Sequence, residues 1–591
     1  MNAGSPQQPR QLHPALRGAA ALIGLIALIY LCHAGSLHYG LFMDDHVHFQ
    51  QLRECDWSPA GLTGACRLEL VGGIVDVWFL PDCTLRFFRP LAFGLMKLTY
   101  TLTGWDPVGM HAASLAWHTL VCILLMLLLR QLGAGALLAW GVAALFAVHP
   151  GHVATVQWIA CQTELMGTAF ILAAALCYLR FRGWSTEGDD NRSLRQRLPW
   201  AIACLLFFVA ALGCRENTLL LPVVLVSVEL LLWRRRRREI GGVYAAFALV
   251  AVAYLVLRWQ MLGPGAVPPK PYVFGPTDAG FIRHVVDKAC YYLLGEFLLV
   301  PCVPFAGLAY LRERPLVLYG LTLVVLAALV LIYWGCWRKR PGLLGPAWLF
   351  GFMLPVLPVF AAPHHLYMPG IGWAITVMLI LKLIGGAVTR VNWRRQAAMW
   401  TSLILLGAAL GAVTLSFGQA LDAAQRVEDL VVDEVVANAP RLHDGDTLYF
   451  VNLPIIAYCV GPAVERVTGH HDLEIRPLTW APRVLGFVGS DVDCEITWHD
   501  PRTFDVRLAG DRYFAGPLGA IVRAAGVRDA VPQTPASRDQ HGFSVAVVAH
   551  EGMEVTDFRF TFERPLTDTD VHLYWGSRVL WAFELEPEAT P

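Results

Sequence analysis

The dominant pattern along the chain is a series of long apolar segments separated by short polar ones. A helix needs about 20 apolar residues to cross the hydrocarbon core of a bilayer, and eleven segments meet or nearly meet that length. The pattern therefore predicts an all-α polytopic membrane domain with about eleven transmembrane helices. The predicted spans lie near residues 17–39, 108–130, 134–149, 161–180, 199–214, 217–233, 241–258, 315–337, 343–361, 366–385 and 397–417.

The distribution of Arg and Lys predicts how these spans are oriented. One basic cluster precedes the first span, and the others follow even-numbered spans, so all of them fall on one side of the membrane if the spans alternate. Basic loops stay in the cytoplasm, which predicts a cytoplasmic N-terminus and, with an odd number of spans, an extracytoplasmic C-terminus. The first span is long for a signal peptide and is interpreted as an uncleaved anchor. The clusters contain Arg10, Arg17, Arg130, Arg180, Arg182, Arg192, Arg195, Arg197, Arg234 to Arg238, Arg338 to Arg340 with Lys339 between them, Arg390, Arg394 and Arg395.

Two long loops and the tail fall on the extracytoplasmic side in this topology. The first loop covers about residues 40–107, and the second covers about 259–314 and contains a predicted interfacial helix near 280–300. We expect two domains, a membrane domain over residues 1–417 and a soluble extracytoplasmic domain over residues 418–591.

The tail changes from a helical to an alternating pattern. A helical stalk is predicted near residues 419–437, followed by a mostly β or mixed α/β domain. Alternating apolar and polar residues at 447–452 and 558–564 are typical of strands, and Gly, Pro and Asp-Gly pairs separate the segments.

Composition supports a membrane protein and excludes several other classes. Hydrophobic residues make up 56% of the chain and charged residues 16%, against about 25% charged residues in ordinary soluble domains. The net charge is zero, but basic residues outnumber acidic ones 32 to 19 in residues 1–416, and acidic residues outnumber basic ones 27 to 14 in residues 417–591. A basic membrane part and an acidic tail argue against nucleic-acid binding.

The 14 cysteines are scattered, mostly in apolar segments where a cysteine acts as a small hydrophobic residue. Three of them, Cys55, Cys66 and Cys83, fall in the first loop and would permit one disulfide with one thiol left over. Cys459 and Cys494 would permit a second disulfide in the tail. Spacing alone does not decide either pairing.

Two adjacent carboxylates, Asp44 and Asp45, follow the first span closely. Charges at a membrane boundary are costly, and a carboxylate pair suits a general base that deprotonates a hydroxyl, or a ligand set for a divalent metal. The alternative interpretation is the solvated start of a loop.

Basic residues recur near the same membrane face. Arg89, before Pro90-Leu91, could hold a lipid phosphate bidentately, or it could simply extend to the interface. Arg215 and Glu216 are adjacent between two half-length spans, where an ion pair would lower the cost of charge. Arg258 ends the seventh span.

Histidines and other polar residues add to this pattern. Two of them, seven residues apart, share one helix face, and a His-Pro-Gly-His segment breaks a helix in the way seen where a helix lines a cavity. A metal site there would lack a third ligand. Each residue alone could equally serve packing, but together they favour an extracytoplasmic site at the membrane boundary. The residues are His111, His118, His149, His152, Glu164, His364, His365 and Tyr367.

At these residues the chain resembles the GT-C superfamily of lipid-phosphate-sugar-dependent glycosyltransferases, and most of all its protein O-mannosyltransferase-like branch, which includes tetratricopeptide-containing transmembrane enzymes. The resemblance covers about residues 40–420. The matching motifs are Asp44-Asp45, Arg89-Pro90-Leu91, Gly104 to His111 with His118, His149-Pro150-Gly151-His152 to Trp158, Arg215-Glu216, Tyr254 with Arg258, and Leu366-Tyr367 to Gly372.

The resemblance implies a GT-C fold and a sugar donor linked to polyprenyl phosphate. It implies that Asp44, with Asp45 next, is the catalytic base or a metal contact, and that Arg215 and Arg258 bind the donor phosphate. We add Arg89 and His365 to the phosphate-binding set. No cofactor is implied beyond a divalent metal at Asp44 and Asp45. The expected lining of the substrate cavity is His111, His118, His149, His152, Glu164, Glu216, His364 and Tyr367.

The chain departs from the family pattern at several positions. Ala154 replaces a Glu, the segment Cys161 to Leu165 lacks an Arg, and His364-His365 replace a Glu-Arg pair. The tail shows no tetratricopeptide repeats. The sugar, the acceptor, the linkage of the donor and the retention of activity therefore stay open.

The resulting hypothesis is a glycosyltransferase of the bacterial inner membrane that acts on an extracytoplasmic acceptor. The alternatives are a non-catalytic scaffold or lipid-binding protein with the same fold and, less favoured, a transporter, because internal repeats and mid-span charges are not evident. Convergence of Asp44, Arg215 and Arg258 on one outward-facing cavity would favour the enzyme.

Overall fold

The computed structural model describes most of the chain. The described residues are 14–80, 82–183, 193–232, 240–263, 267–303, 306–336, 344–388, 393–437, 441–482, 493–516, 519, 536–537, 542–552, 554–578 and 581–584. The predicted basic residues Arg10, Arg192, Arg234 to Arg238, Arg338 to Arg340 and Arg390 lie outside them.

Helices form the first two thirds of the structure and strands concentrate in the last third. The helices are α1 (Pro14–His33), α2 (Asp44–Glu54), α3 (Pro59–Gly64), α4 (Pro90–Leu102), α5 (Pro107–Gln131), α6 (Ala136–Ala147), α7 (Val153–Gln157), α8 (Gln162–Phe181), α9 (Leu194–Leu212), α10 (Leu221–Leu232), α11 (Ile240–Leu262), α12 (Phe281–Leu298), α13 (Ala306–Arg312), α14 (Pro315–Cys336), α15 (Leu344–Met353), α16 (Gly370–Val388), α17 (Trp393–Ala437) and α18 (Val460–Thr468). The strands are β1 (Arg67–Val71), β2 (Cys83–Arg86), β3 (Thr447–Val451), β4 (Glu474–Pro477), β5 (Asp493–Asp500), β6 (Thr503–Ala509), β7 (Ala536–Ser537), β8 (Phe543–Glu551), β9 (Glu554–Phe562), β10 (Val571–Arg578) and β11 (Trp581–Glu584).

The protein is an integral membrane protein, as its apolar helices predict. Within the described residues, seven helices are long and apolar enough to span a membrane, and a bent pair with a 57° break, Ala136–Ala147 with Pro150–Gln157, would make eight. Three further apolar helices are shorter, because Pro or charged residues interrupt them, so the predicted count of eleven spans is not confirmed. The seven are Gly18–His38, Pro107–Gln131, Ile159–Phe181, Leu194–Leu212, Gly241–Leu262, Pro315–Gly335 and Trp400–Ala437, and the shorter three are Glu216–Ser227, Leu344–Val356 and Gly370–Leu383.

One large apolar cluster holds the membrane helices together. Phe146 of α6, Phe208 of α9 and Trp348 of α15 are all buried in it. Burial of large aromatic side chains contributes most to packing of this kind. This cluster is the scaffold from which the polar loops at one membrane face project.

The elements predicted for the two long loops and the tail are present in the structure. The interfacial helix expected near 280–300 is α12, and the strands expected at 447–452 and 558–564 correspond to β3 and β9. The tail contains a four-stranded sheet in the order β11-β10-β3-β4, with parallel pairing of β10 with β3 and of β3 with β4. It also contains a five-stranded antiparallel sheet in the order β5-β6-β9-β8-β7.

The tail packs directly against the first loop. Val77 and Leu80 of the loop share one buried cluster with Val435 of α17 and with Phe450 of β3. Trp78 also donates its indole N–H to the carbonyl of Leu478 at 2.8 Å. The first loop is therefore held between the membrane helices and the tail.

Helix α17 connects the membrane part to the tail without a break. It runs for 45 residues and contains both the predicted last span, 397–417, and the predicted stalk, 419–437. The expected domain boundary at 417/418 therefore lies inside a continuous helix.

The cysteines of the loop and the tail form no disulfide. Cys55, Cys66, Cys83, Cys459 and Cys494 are all free thiols, and all except Cys55 are buried. The two pairings that the spacing would permit are absent from the structure.

Candidate active site

The first polar element of the site is the turn that begins α2. Met43 precedes the helix and has φ 52° and ψ −127°, a backbone conformation that residues other than glycine rarely adopt. Strain of this kind persists only where surrounding contacts impose it, and it is concentrated at functional sites. The turn directs Asp44 and Asp45, the first two residues of α2, toward different surroundings.

Asp45 is a structural acceptor. It is 1% exposed, and its two carboxylate oxygens accept the backbone N–H groups of Ala160 at 2.7 Å and of Phe42 at 3.2 Å. These bonds join the start of α2 to the segment before α8. Both oxygens are occupied, so Asp45 has little capacity left for a substrate.

Asp45→Asn is expected to lower the free energy of unfolding by about 1–3 kcal/mol, since its amide group would place a donor against one of the two N–H donors. Thermal unfolding of the detergent-solubilised protein would show this as a lower Tm. The control is Asp44→Asn, one residue away. An unchanged Tm for Asp45→Asn would contradict the structural role.

Asp44 has the opposite environment. Its Oδ1 is buried and has no hydrogen-bond partner among the described residues. Burial, strengthened by the nearby carboxylate of Glu428 and opposed by the guanidinium of Arg89, raises the pKa of Asp44 to about 7. A carboxylate with a free oxygen and a pKa near neutrality has the properties of a general base.

The described residues do not form an evident metal site at this pair. No group of three or more His, Cys, Asp or Glu residues among them is arranged to hold a metal ion. Both oxygens of Asp45 accept backbone N–H groups. Asp44 is the carboxylate of the pair that has an oxygen without a hydrogen-bond partner among the described residues. A divalent metal at Asp44 and Asp45 therefore stays a prediction.

Two Arg–Glu ion pairs form the second part of the site. They are called the crossed pairs here because the adjacent residues Arg215 and Glu216 belong to different pairs. Arg89 bonds Glu216 at 2.8 Å, and Glu216 also accepts the N–H of Phe88. Arg215 forms an ion pair with Glu164, with 2.7 Å between Nε and Oε2. The expected pair between the adjacent residues Arg215 and Glu216 is thus replaced by pairs with distant segments. Neighbouring residues in this extended segment point in different directions, so each finds its own partner.

The crossed pairs are mostly buried but partly accessible. Arg89 and Arg215 are each 8% exposed, and Glu164 is 0% exposed. Arg215 also donates to the Thr163 hydroxyl at 3.2 Å. Each guanidinium is oriented by its carboxylate and retains further N–H donors, which is the arrangement that suits bidentate binding of a phosphate.

His364 lies beside these cations. Burial and the positive charges of Arg215 and Arg89 lower the pKa of His364 well below its usual range, so its ring is neutral. Its Nδ1 is buried without a hydrogen-bond partner among the described residues. His365 bonds the Tyr292 hydroxyl at 2.9 Å through its Nδ1 and stays within electrostatic range of Arg215 and Arg89, so its assignment to the donor phosphate stays a prediction.

Tyr272 is a residue of the site that the sequence did not indicate. It is half-buried in the second long loop and lies within electrostatic range of Arg89, Arg215 and Asp44. Its backbone carbonyl accepts the N–H of Phe360 at 2.7 Å, close in sequence to His364. A Tyr in an irregular loop carries no pattern that would have identified it.

Arg258 is more remote than expected. It lies one helical turn after Tyr254, whose ring packs against Phe88 at 5.6 Å between centroids. Phe88 in turn precedes Arg89. No contact between Arg258 and Arg215 or Asp44 is present among the described side chains, so its assignment to the donor phosphate stays a prediction.

The histidines around the helix break are packed in the interior. His118, His149 and His152 are all 0% exposed, and so is Tyr367. They lie around the 57° break between α6 and α7, and Tyr367 is within electrostatic range of Glu164. Their assignment to the lining of the substrate cavity stays a prediction.

These histidines satisfy backbone groups left free by the break. A helix end leaves carbonyls without intrahelical partners. The ring of His118 bonds the carbonyl of Ala147 at 3.1 Å and that of His152 bonds the carbonyl of Phe146 at 2.9 Å. His149 accepts the N–H of Gly151. His111 similarly bonds the carbonyl of Gly40 at 3.2 Å. The Nδ1 of His111 and the Nε2 of His152 are buried without a hydrogen-bond partner among the described residues.

The chain is similar in sequence to named protein O-mannosyl-transferases. It is 27% identical over 204 residues to the Drosophila melanogaster protein O-mannosyl-transferase Tmtc1, which covers 34% of this chain and 21% of the relative. It is 24% identical over 377 residues to the Drosophila melanogaster protein O-mannosyl-transferase Tmtc3, covering 58% of this chain and 37% of the relative. The chain thus spans less than half the length of these curated relatives.

The chain is similar to ArnT from Cupriavidus metallidurans in the apo state with a TM-score of 0.44 and 12% identity, over 77% of this chain and 85% of that one. No protein-family model matches the chain. The sequence similarity to the named protein O-mannosyl-transferases confirms the O-mannosyltransferase-like glycosyltransferase resemblance that the motifs predict.

Proposed function

We propose that the chain is a membrane glycosyltransferase that moves a sugar from a polyprenyl-phosphate donor to a hydroxyl of an acceptor on the extracytoplasmic side. The observation that carries this proposal is the convergence of a carboxylate with a free oxygen, Asp44, with two oriented guanidiniums, Arg89 and Arg215. Asp44 and Arg215 also both lie within electrostatic range of Cys161. A base and a phosphate-binding group are what such a transfer requires.

Each group has a defined role in the proposed reaction. Asp44 accepts the proton of the acceptor hydroxyl as the oxygen attacks the anomeric carbon of the sugar. The bond between that carbon and the lipid phosphate breaks, and the phosphate leaves with the bonding electron pair. Arg89 and Arg215 stabilise the charge that develops on the phosphate, which is a large contribution to catalysis when the donors are already oriented.

The neutral ring of His364 and the hydroxyl of Tyr272 complete the proposed site. Neither adds charge, so the attraction for the phosphate comes from the two guanidiniums. Because Glu216 and Glu164 hold these guanidiniums in place, little reorganisation accompanies the reaction.

The basic clusters fall on one side of the membrane if the spans alternate, which supports a cytoplasmic N-terminus and an extracytoplasmic site. We place the protein in a bacterial inner membrane. Mannose is the first sugar to test, because the relatives with similar sequences are named protein O-mannosyl-transferases. Ala154 replaces a Glu of the family pattern, and His364-His365 replace a Glu-Arg pair. The test therefore has to identify both the sugar and the acceptor.

The test compares cells that carry the wild-type protein, a deletion, and full-length Asp44→Asn at matched expression. Mass spectrometry of glycoproteins and glycolipids is expected to show one glycan lost in both the deletion and Asp44→Asn. Asp422→Asn, on a half-buried carboxylate of α17 paired with exposed Arg426, is the control and should keep the glycan. Loss in the deletion alone would favour a scaffold that supports another enzyme.

A further inference from the structure

Glu428 is a buried carboxylate that the tail-side half of α17 brings to the first loop. It is 0% exposed. Its Oε2 accepts the backbone N–H of Met43 at 2.8 Å and lies 3.8 Å from Nε2 of His46. Its Oε1 is buried without a hydrogen-bond partner among the described residues. Burying a carboxylate with one oxygen unsatisfied is costly, so the position requires an explanation.

The bond to Met43 gives that explanation. Met43 has a left-handed φ of 52° and directly precedes Asp44. A non-glycine residue keeps such a conformation only where other contacts impose it. A charge-assisted bond from a carboxylate to the Met43 N–H is a strong contact of this kind. Glu428 therefore fixes the direction in which the chain enters α2.

The surroundings of Glu428 hold it in place. Val431 and Val432, on the same helix, are buried in the cluster shared by the first loop and the tail. Tyr458 and Cys459 of the tail lie within electrostatic range of both Glu428 and Asp44. The turn at Met43 is thus enclosed by residues of the tail-side half of α17 and of the tail.

We propose that Glu428 is a positioning residue of the site: it holds the Met43 turn so that Asp44 faces the Arg–Glu pairs, and the tail-side half of α17 therefore completes the site. The claim about catalysis rests on the proposed function. The claim about the turn does not, because the contact is present whatever reaction the protein performs.

Two variants separate positioning from a general loss of stability. Glu428→Gln keeps an oxygen that can accept the Met43 N–H, whereas Glu428→Ala removes it. Asp422→Ala is the control, because Asp422 is on the same helix and its carboxylate pairs with exposed Arg426. All variants are made in the full-length protein and reconstituted into lipid nanodiscs.

The first measurement is hydrogen–deuterium exchange in a peptide that covers residues 42–46. Exchange of the Met43 amide is expected to become about tenfold faster in Glu428→Ala, since a protecting bond is lost, and to stay at the wild-type rate in Glu428→Gln and Asp422→Ala. Unchanged exchange in Glu428→Ala would overturn the proposal, and so would equal acceleration in the Gln variant.

The second measurement is release of undecaprenyl phosphate from undecaprenyl-phosphate-mannose. We expect kcat to fall about 100-fold in Glu428→Ala with KM unchanged, because a misplaced base costs about that much, and to recover in Glu428→Gln. Equal kcat in both variants and wild type would overturn the positioning role. If the wild-type protein releases no undecaprenyl phosphate while the exchange result holds, the proposed function with this donor fails and the role of Glu428 in the turn stands.

Discussion

Asp44→Asn is expected to lower turnover of a polyprenyl-phosphate-sugar donor by about 10²–10⁴-fold, the usual contribution of a general base, without lowering Tm. The buried Oδ1 of Asp44 has no hydrogen-bond partner among the described residues, so the amide loses no bond there. Donor release and thermal unfolding measured on the same preparation check both parts. A low Tm together with low activity would show that Asp44 supports the fold instead.

The pH dependence follows from the raised pKa of Asp44. Below a pH of about 7 the carboxyl is protonated in the folded protein and cannot act as a base, so activity should rise as the pH increases through about 7. The unfolded chain releases the same proton near pH 3.8. Between these values the folded state binds more protons, so stability falls as the pH rises through this window. Asp44→Asn should remove the part of this loss of stability that comes from Asp44. A pH profile of Tm identical to that of the wild-type protein would contradict the raised pKa of Asp44.

The second large effect is expected at Arg215. Arg215→Met would leave Glu164, which is 0% exposed, without its ion-pair partner, and breaking one half of a buried pair costs about 3–5 kcal/mol. Tm should drop clearly, and donor release should be lost. Measurements of Tm in detergent and of donor release follow the two effects separately.

The double variant Arg215→Met/Glu164→Gln is the control for this prediction. Removing both charges should restore most of the stability, because no buried charge is left unpaired, yet activity should stay absent since a phosphate-binding group is missing. Recovered activity in the double variant would exclude Arg215 from the proposed site.

Helices and strands with a strong periodic pattern could be predicted from the sequence, but the side-chain contacts between distant segments could not. Helix α12 and strands β3 and β9 carry clear helical or alternating patterns. The crossed pairs of Arg89 with Glu216 and of Arg215 with Glu164 depend on four segments meeting in space. Adjacent opposite charges suggest a local pair, but neighbouring residues seldom face each other.

The histidines show a second limit of sequence analysis. His118, His149 and His152 stand in apolar segments, and a polar residue there faces either an open cavity or an unsatisfied backbone group. The pattern of the sequence is the same in both cases. The 57° break between α6 and α7 supplies the free carbonyls that decide it, and its geometry is set by tertiary packing.

The unbroken course of α17 has a mechanical consequence. At about 1.5 Å per residue, its 45 residues form a helix roughly 68 Å long. One half of this helix packs with the membrane helices, and Glu428 lies in the other half. A helix without a hinge transmits a change of tilt along its whole length. Spans adjust their tilt to bilayer thickness. The thickness of the host membrane is therefore expected to affect the orientation of Asp44 through this helix.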